Sequence, residues 1–185
     1  MRPGALAGLT AATLFGLWAS VASATVSEAL SLADLVRDAD HVVLVTCVDE
    51  RALRDGYGRI VTDYDVTVED VMGGPSARGD ALTMRRLGGE LGDLGMTIAG
   101  EPRLAVGERY LLFLRDMSGV LRPVGMSQGV LPVRERAGVP WAHPGGAGLS
   151  LVQRGSGGQL VPAPAALLSP EPLEALRERI EDVAP

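Results

Sequence analysis

The segment from Arg59 to Val71 constrains the fold more than any other part of this sequence. Along it, one set of alternate positions is almost wholly apolar or aromatic, and the other set carries the charged groups. The first set is Ile60, Thr62, Tyr64, Val66 and Val68, and the second is Val61, Asp63, Asp65, Thr67 and Glu69. Because successive side chains of a strand point to opposite faces, a period of two indicates a β-strand. We therefore predict a long strand with one face in a core and the other in water.

Two further segments are apolar at both alternations. They are His41–Asp49 and Arg109–Arg115, and such runs are typical of strands that are covered on both faces. Shorter strands are predicted at 81–87, 120–124 and 130–134, with less regular ones at 148–153 and 159–161. Residues 88–103, rich in glycine, are predicted as a long loop with a short strand near 96–98.

Two helices flank the predicted strands. Ser31, followed by Asp34 at the third helical position, is typical of a helix start, and this helix should end near Ala39. The second helix is predicted at the C-terminal end, with Ser169 as its cap and Pro170 at its first position. The side chains expected to be buried on the two helices are Leu32, Leu35 and Val36, and then Leu173, Leu176, Ile180 and Val183. Arg177 and its acidic neighbours are predicted to face water.

Short strands at regular spacing between two helices predict a mainly β fold, built as a small closed or nearly closed barrel. The barrel domain is predicted at 25–135. Residues 136–185 are predicted to form a C-terminal hairpin and loop extension with a helix packed on the barrel.

Residues 1–24 are predicted to be a signal peptide. Met1 and Arg2 give a positive start, an apolar run extends from Ala5 to Val21, and Ala22-Ser23-Ala24 has the small residues of a cleavage site. The protein is thus expected to be exported, to the periplasm or the extracellular medium, with no membrane span in the mature chain.

Composition excludes several classes of partner and site. The net charge is -6 and aromatic residues are 4%, which argues against nucleic-acid binding because a polyanion requires a basic face. One cysteine and two histidines leave little material for a metal site or a disulfide framework. No metal and no cofactor are predicted. Cys47, within an apolar strand, is interpreted as a small buried side chain, although its role stays open.

Gly125-Met126-Ser127-Gln128-Gly129 matches the nucleophile elbow of α/β-hydrolases. That elbow joins a strand to a helix, whereas Val130 to Val133 is predicted to be a strand. We therefore interpret the motif as a bend between strands and predict no catalytic residue. Asp63, Asp65 and Glu69 on one strand face could attract calcium, but a solvated outer face is the preferred interpretation.

Four features in this order resemble a group of exported bacterial proteins. They are Asp38-Ala39-Asp40 before a strand, the alternating strand Ile60–Val66, Gly88-Gly89 leading to Pro102 and Gly107–Leu114, and Gln128-Gly129 followed by Pro132-Val133. The core of these proteins is similar to the OB-type barrel of tissue inhibitors of metalloproteinases and netrin modules. The resemblance covers residues 32–135 and implies an OB-like barrel. It implies no inhibitory site, because the inhibitors use a disulfide-bonded N-terminal cysteine and Thr25 is the expected mature N-terminus.

The function predicted from the sequence is that of a non-enzymatic binding module. It would recognise an unidentified protein or cell-envelope component through barrel loops, since loops on a rigid scaffold commonly carry binding. The predicted contact residues in loop 88–103 are Glu90, Asp93, Glu101 and Arg103. The alternatives are a secreted protease inhibitor, a small serine hydrolase, or a structural protein of the cell envelope.

Overall fold

The computed structural model describes residues 25–163 and 168–184, so the predicted signal peptide lies outside the described residues. The fold is mainly β, with 50% strand, 14% helix and a closed five-stranded barrel. The elements before the first glycine-rich loop are β1 (Thr25–Glu28), α1 (Leu32–Asp38), β2 (His41–Arg54), β3 (Ile60–Gly73) and β4 (Ala81–Leu87). The elements after it are β5 (Gly89–Leu91), β6 (Leu94–Met96), β7 (Arg109–Asp116), β8 (Leu121–Pro123), β9 (Val130–Arg136), β10 (Val139–Ala142), β11 (Leu149–Arg154), β12 (Leu160–Pro162), β13 (Glu171–Pro172) and α2 (Leu173–Val183).

The barrel is formed by β7, β2, β3, β4 and β8, paired in that order. It closes because β8 pairs with β4 in parallel, at Met84 and Leu121, and with β7 in antiparallel orientation. On the far side of β7 the same sheet continues through β9 and β10 to β13. A smaller sheet holds β1, β11 and β12. The predicted mainly β barrel with a C-terminal helix is thus confirmed.

The central strands β2 and β7 are covered on both faces, as their sequences predict. On β2, Val43, Val45 and Cys47 point into the barrel, while Val42 and Leu44 pack in a second core with the helices. An extra residue, Val48, interrupts the pairing with β3 between Cys47 and Asp49. Such a bulge bends a strand. Here β2 continues beyond it to Arg54, five residues past the predicted end.

Helix α1 forms as predicted, since Ser31 and Asp34 make a reciprocal capping box and Leu32, Leu35 and Val36 are buried. Helix α2 begins later than predicted. Glu171 and Pro172 pair with Trp141 and Ala142 of β10 in an antiparallel bridge, and the helix follows at Leu173. Ser169 and Pro170 therefore do not start the helix.

The buried face of α2 is shorter than expected. Leu173, Leu176 and Ile180 are buried in the core shared with α1 and the central strands, whereas Val183 is exposed. Arg177 is only partly exposed to water, since its guanidinium donates a hydrogen bond to the carboxylate of Asp70 on β3.

The predicted loop 88–103 begins with a hairpin, β5–β6, rather than with a short strand near 96–98. The hairpin lies close against the barrel, where Gly89 has a φ of +148° and a Cβ there would stand 2.4 Å from Oγ1 of Thr62. Only glycine allows this approach without displacement. The strand β10 was not predicted. Within the described residues, no helix is long and apolar enough to cross a membrane.

Candidate functional site

The acidic face of β3 is only partly the solvated surface that the sequence predicts, since Asp65 and Glu69 are half-buried and Asp63 is buried. Asp63 is buried and accepts two hydrogen bonds from Arg85, at 2.6 and 2.7 Å. Two more carboxylates of the strand are also matched with arginine. A carboxylate oxygen of Asp65 lies 3.2 Å from a guanidinium nitrogen of Arg51. A carboxylate oxygen of Glu69 lies 2.8 Å from a guanidinium nitrogen of Arg109. The carboxylates that could bind calcium are thus already in ion pairs with arginine side chains. Among the described residues, no group of three or more His, Cys, Asp or Glu is placed to hold a metal ion.

The GxSxG segment forms a short 3-10 helix, Met126–Gly129, that leads directly into β9. Ser127 is buried, and its hydroxyl donates to the carbonyl of Ala147 at 3.0 Å. Its amide donates to the carbonyl of Gly100 at 2.9 Å, and its carbonyl accepts from Gly146 at 3.0 Å. Ser127 therefore connects two loops by hydrogen bonds, and the strand–turn–helix context of a nucleophile elbow is not present here.

Cys47 lies within the barrel and is fully buried. Burial raises the pKa of its thiol, because the thiolate would be poorly solvated there. A thiol with these properties is a poor nucleophile at neutral pH. The interpretation of Cys47 as a core side chain is consistent with this environment.

The four predicted contact residues separate into two environments. Glu90 and Asp93 are exposed on the β5–β6 hairpin, and Arg103 is exposed in the loop that follows it. The side chain of Glu101 is only 3% exposed, so the prediction that it is available at the surface is wrong.

Glu101 is buried because it pairs with the barrel. One of its carboxylate oxygens accepts a hydrogen bond from Arg122 of β8 at 2.7 Å. The other is buried without a hydrogen-bond partner among the described residues. Burial raises the pKa of Glu101, although Arg122 opposes this. The pair attaches the loop after the hairpin to β8.

A buried polar group lies at the end of the barrel next to the hairpin. Tyr64 is fully buried, and its hydroxyl accepts from Nε of Arg86 at 3.1 Å and donates to Glu50 at 3.3 Å. Arg86 is itself only 5% exposed. A polar cleft of about 340 Å³ opens beside it, lined also by Glu90 and Arg103. The cleft therefore brings two of the predicted contact residues together.

A second cleft, of about 410 Å³, lies between two barrel loops and the outer faces of β3, β4 and β8. The loops are 55–59, between β2 and β3, and 117–120, between β7 and β8. Tyr57 is 87% exposed at the tip of the first, and Met117 is 56% exposed on the second. The guanidinium of Arg59 stacks over the Tyr57 ring at 5.1 Å from its centre, and it also pairs with Asp55 at 2.7 Å.

Neither Tyr57 nor Met117 is among the contact residues predicted from the sequence. The sequence carries one sign of a contact role, which is the aromatic Tyr57 within the predicted turn Asp55–Gly58. A turn does not itself need a large aromatic side chain at its tip. That the two loops border one cleft depends on closure of the barrel.

A third cleft, of about 380 Å³, lies beside the barrel between the loops that Ser127 connects. Its floor includes Tyr110 of β7 and Pro132 of β9, which are opposite one another in the sheet.

No protein-family model matches this chain, and no curated protein is found to match it.

Proposed function

We propose that the protein is an exported, non-enzymatic module that binds a protein or another component of the cell envelope through the loops of an OB-type barrel. Export is inferred from the N-terminal sequence, where a positive start, an apolar run and Ala22-Ser23-Ala24 have the order of a signal peptide. The binding function is inferred from the loops.

The barrel geometry supports the comparison with OB-type barrels. The barrel has five strands, and OB-type barrels bind ligands on their second and third strands and on two loops. Those loops join the first strand to the second and the fourth to the fifth. Here they correspond to loops 55–59 and 117–120, and both border the cleft on the outer faces of β3 and β4.

The observation that carries the proposal is the exposure of Tyr57 beside Met117 at this cleft. Tyrosine, methionine and arginine are enriched at protein interfaces, and a large exposed aromatic side chain is a typical anchor for a partner. Arg59 holds the Tyr57 ring from one side. The ring is thus partly ordered before binding, which lowers the entropic cost of association.

The hairpin residues Glu90 and Asp93, together with Arg103, are proposed as a second part of the contact surface. Glu101 is not included, because its carboxylate is buried against Arg122. The first part of the surface is aromatic and the second is charged, so the two can be tested separately.

The test is site-specific photo-crosslinking in the producing cell. A photoreactive phenylalanine analogue at position 57 should give a discrete adduct with an envelope or exported protein. The same analogue at Leu160, which is exposed on β12, serves as the control and should give none. Adducts from position 93 but not from 57 would place the contact on the hairpin. A lack of adducts from both position 57 and position 93 would contradict the proposal.

A hydrolase is not proposed, because the hydroxyl of Ser127 is buried and bonded to a carbonyl oxygen. A fluorophosphonate probe should therefore leave Ser127 unmodified in the folded protein. Modification of Ser127 would instead support the alternative of a serine hydrolase.

A further inference from the structure

The cleft beside the barrel has the size and the preformed walls of a small-molecule site. Its volume, about 380 Å³, lies within the range of such sites in proteins. Val130 and Pro132 point from the same side of β9, and Val130 belongs to the core inside the barrel. The ring of Tyr110 lies across from them. The floor of the cleft is therefore an apolar surface that continues the barrel core outward.

The walls of the cleft are fixed by Ser127. Its amide holds the Gly100 loop on one side, and its hydroxyl and carbonyl hold Ala147 and Gly146 on the other. The backbone approach is so close that a Cβ on Gly145 would stand 1.9 Å from the carbonyl oxygen of Ser127. A cleft whose walls are fixed in this way needs little ordering when a ligand enters.

Two charged side chains line the cleft, the acidic Glu101 and the basic Arg103. Arg103 is exposed and lines the cleft. Within residues 25–163 and 168–184 it takes part in no ion pair. Glu101 also lines the cleft, but its carboxylate is bound by Arg122 and does not compensate Arg103.

We propose that this cleft binds a small amphipathic monocarboxylate. The apolar body would lie on Tyr110, Val130 and Pro132, and the carboxylate would accept hydrogen bonds from the guanidinium of Arg103, a pairing that is strong and geometrically specific. At about 30 Å³ for each water molecule in the liquid, the cleft has room for about a dozen water-sized groups. The site is separate from the loops 55–59 and 117–120, although it shares Arg103 with the second part of the proposed contact surface. It goes beyond the proposed partner binding because its ligand is a small molecule.

The first experiment is titration calorimetry of the purified protein with decanoate, which has an apolar chain and one carboxylate, and with decan-1-ol, which has the same chain without the charge. Decanoate should bind more tightly than decanol. Arg103→Gln should weaken decanoate binding about tenfold or more and leave decanol binding unchanged, because only the charged hydrogen bonds are lost. Arg54→Gln, which removes an arginine that lines no described cleft, should leave both affinities unchanged.

The second experiment blocks the cleft without altering its charge. Ala147 is exposed and lines the cleft, so Ala147→Trp should abolish decanoate binding. Ala81→Trp, at an exposed position at the start of β4, is the control. Thermal unfolding of each variant verifies that the protein remains folded. Equal binding of decanoate and decanol, an Arg103→Gln variant with wild-type affinity, or unchanged binding by a folded Ala147→Trp variant would each overturn the proposal.

Discussion

Replacing Tyr64 with phenylalanine tests the buried polar group at the end of the barrel. The substitution keeps the ring, which is fully buried, and removes only the hydroxyl. Nε of Arg86, which donates to that hydroxyl at 3.1 Å, would lose its partner while the arginine remains 5% exposed. A hydrogen bond to a charged group contributes about 1.5–3 kcal/mol to stability. We therefore expect the free energy of unfolding to fall by about 2 kcal/mol.

The measurement is equilibrium unfolding in urea, followed by thermal unfolding. A loss of about 2 kcal/mol corresponds to a decrease in Tm of about 4–8 °C for a chain of this size. The urea dependence of the free energy should not change, because the same surface is exposed on unfolding. Tyr57→Phe is the matched control. It removes the same hydroxyl from an exposed ring, so stability should change by less than about 0.5 kcal/mol.

A double-mutant cycle separates the hydrogen bond from other effects. Arg86→Met removes the donor, and in that background Tyr64→Phe should cost much less, because no buried donor is left without a partner. If Tyr64→Phe were as stable as the wild type, or if its cost were the same with and without Arg86, the reasoning would be refuted. Burial raises the pKa of Tyr64, so the hydroxyl keeps its proton throughout the neutral range.

Three further predictions concern other parts of the fold. Gly145→Ala should destabilise the protein by about 1–3 kcal/mol, because the new methyl group would overlap backbone oxygen; Gly95→Ala, where nothing lies within 4 Å, should have little effect in the same urea titration. Leu176→Ala should cost about 2–5 kcal/mol by leaving a cavity between α2 and the sheet, whereas Val183→Ala at the exposed end of the helix should cost less than about 0.5 kcal/mol. Burial raises the pKa of Glu101, so the folded protein keeps the proton on this carboxyl group to higher pH than the unfolded chain does. The free energy of unfolding should therefore fall as pH rises from the ordinary glutamate range through the raised pKa. Glu101→Gln should remove that decrease in urea titrations at several pH values, and an unchanged pH dependence would show that Glu101 is not its source.

Much of the fold could be predicted because it depends on local patterns. Alternation in β3 identified the face that lies in the barrel, and apolar residues at both alternations of β2 identified a strand with a core on each side. Ser31 and Asp34 predicted the start of α1 because a capping box is formed by residues three positions apart.

The candidate site was less predictable. Tyr57 and Met117 lie on loops that the chain separates widely, and the cleft between them exists only because the barrel closes. Glu101 was expected at the surface since it is a charged residue in a loop. Its burial is decided by Arg122, 21 residues later in the chain.

The sequence alone thus determined which segments become strands and helices and which of their faces are apolar, because the period of side chains along a strand or helix is a property of the local backbone. Tertiary structure decided where the charges lie. Arg177 reaches Asp70 across 107 positions of the chain, and Glu171 and Pro172 join β10 instead of extending α2. Such pairs depend on which elements become neighbours when the barrel closes. The number of residues between two side chains in the sequence does not determine how far apart they lie in the folded protein.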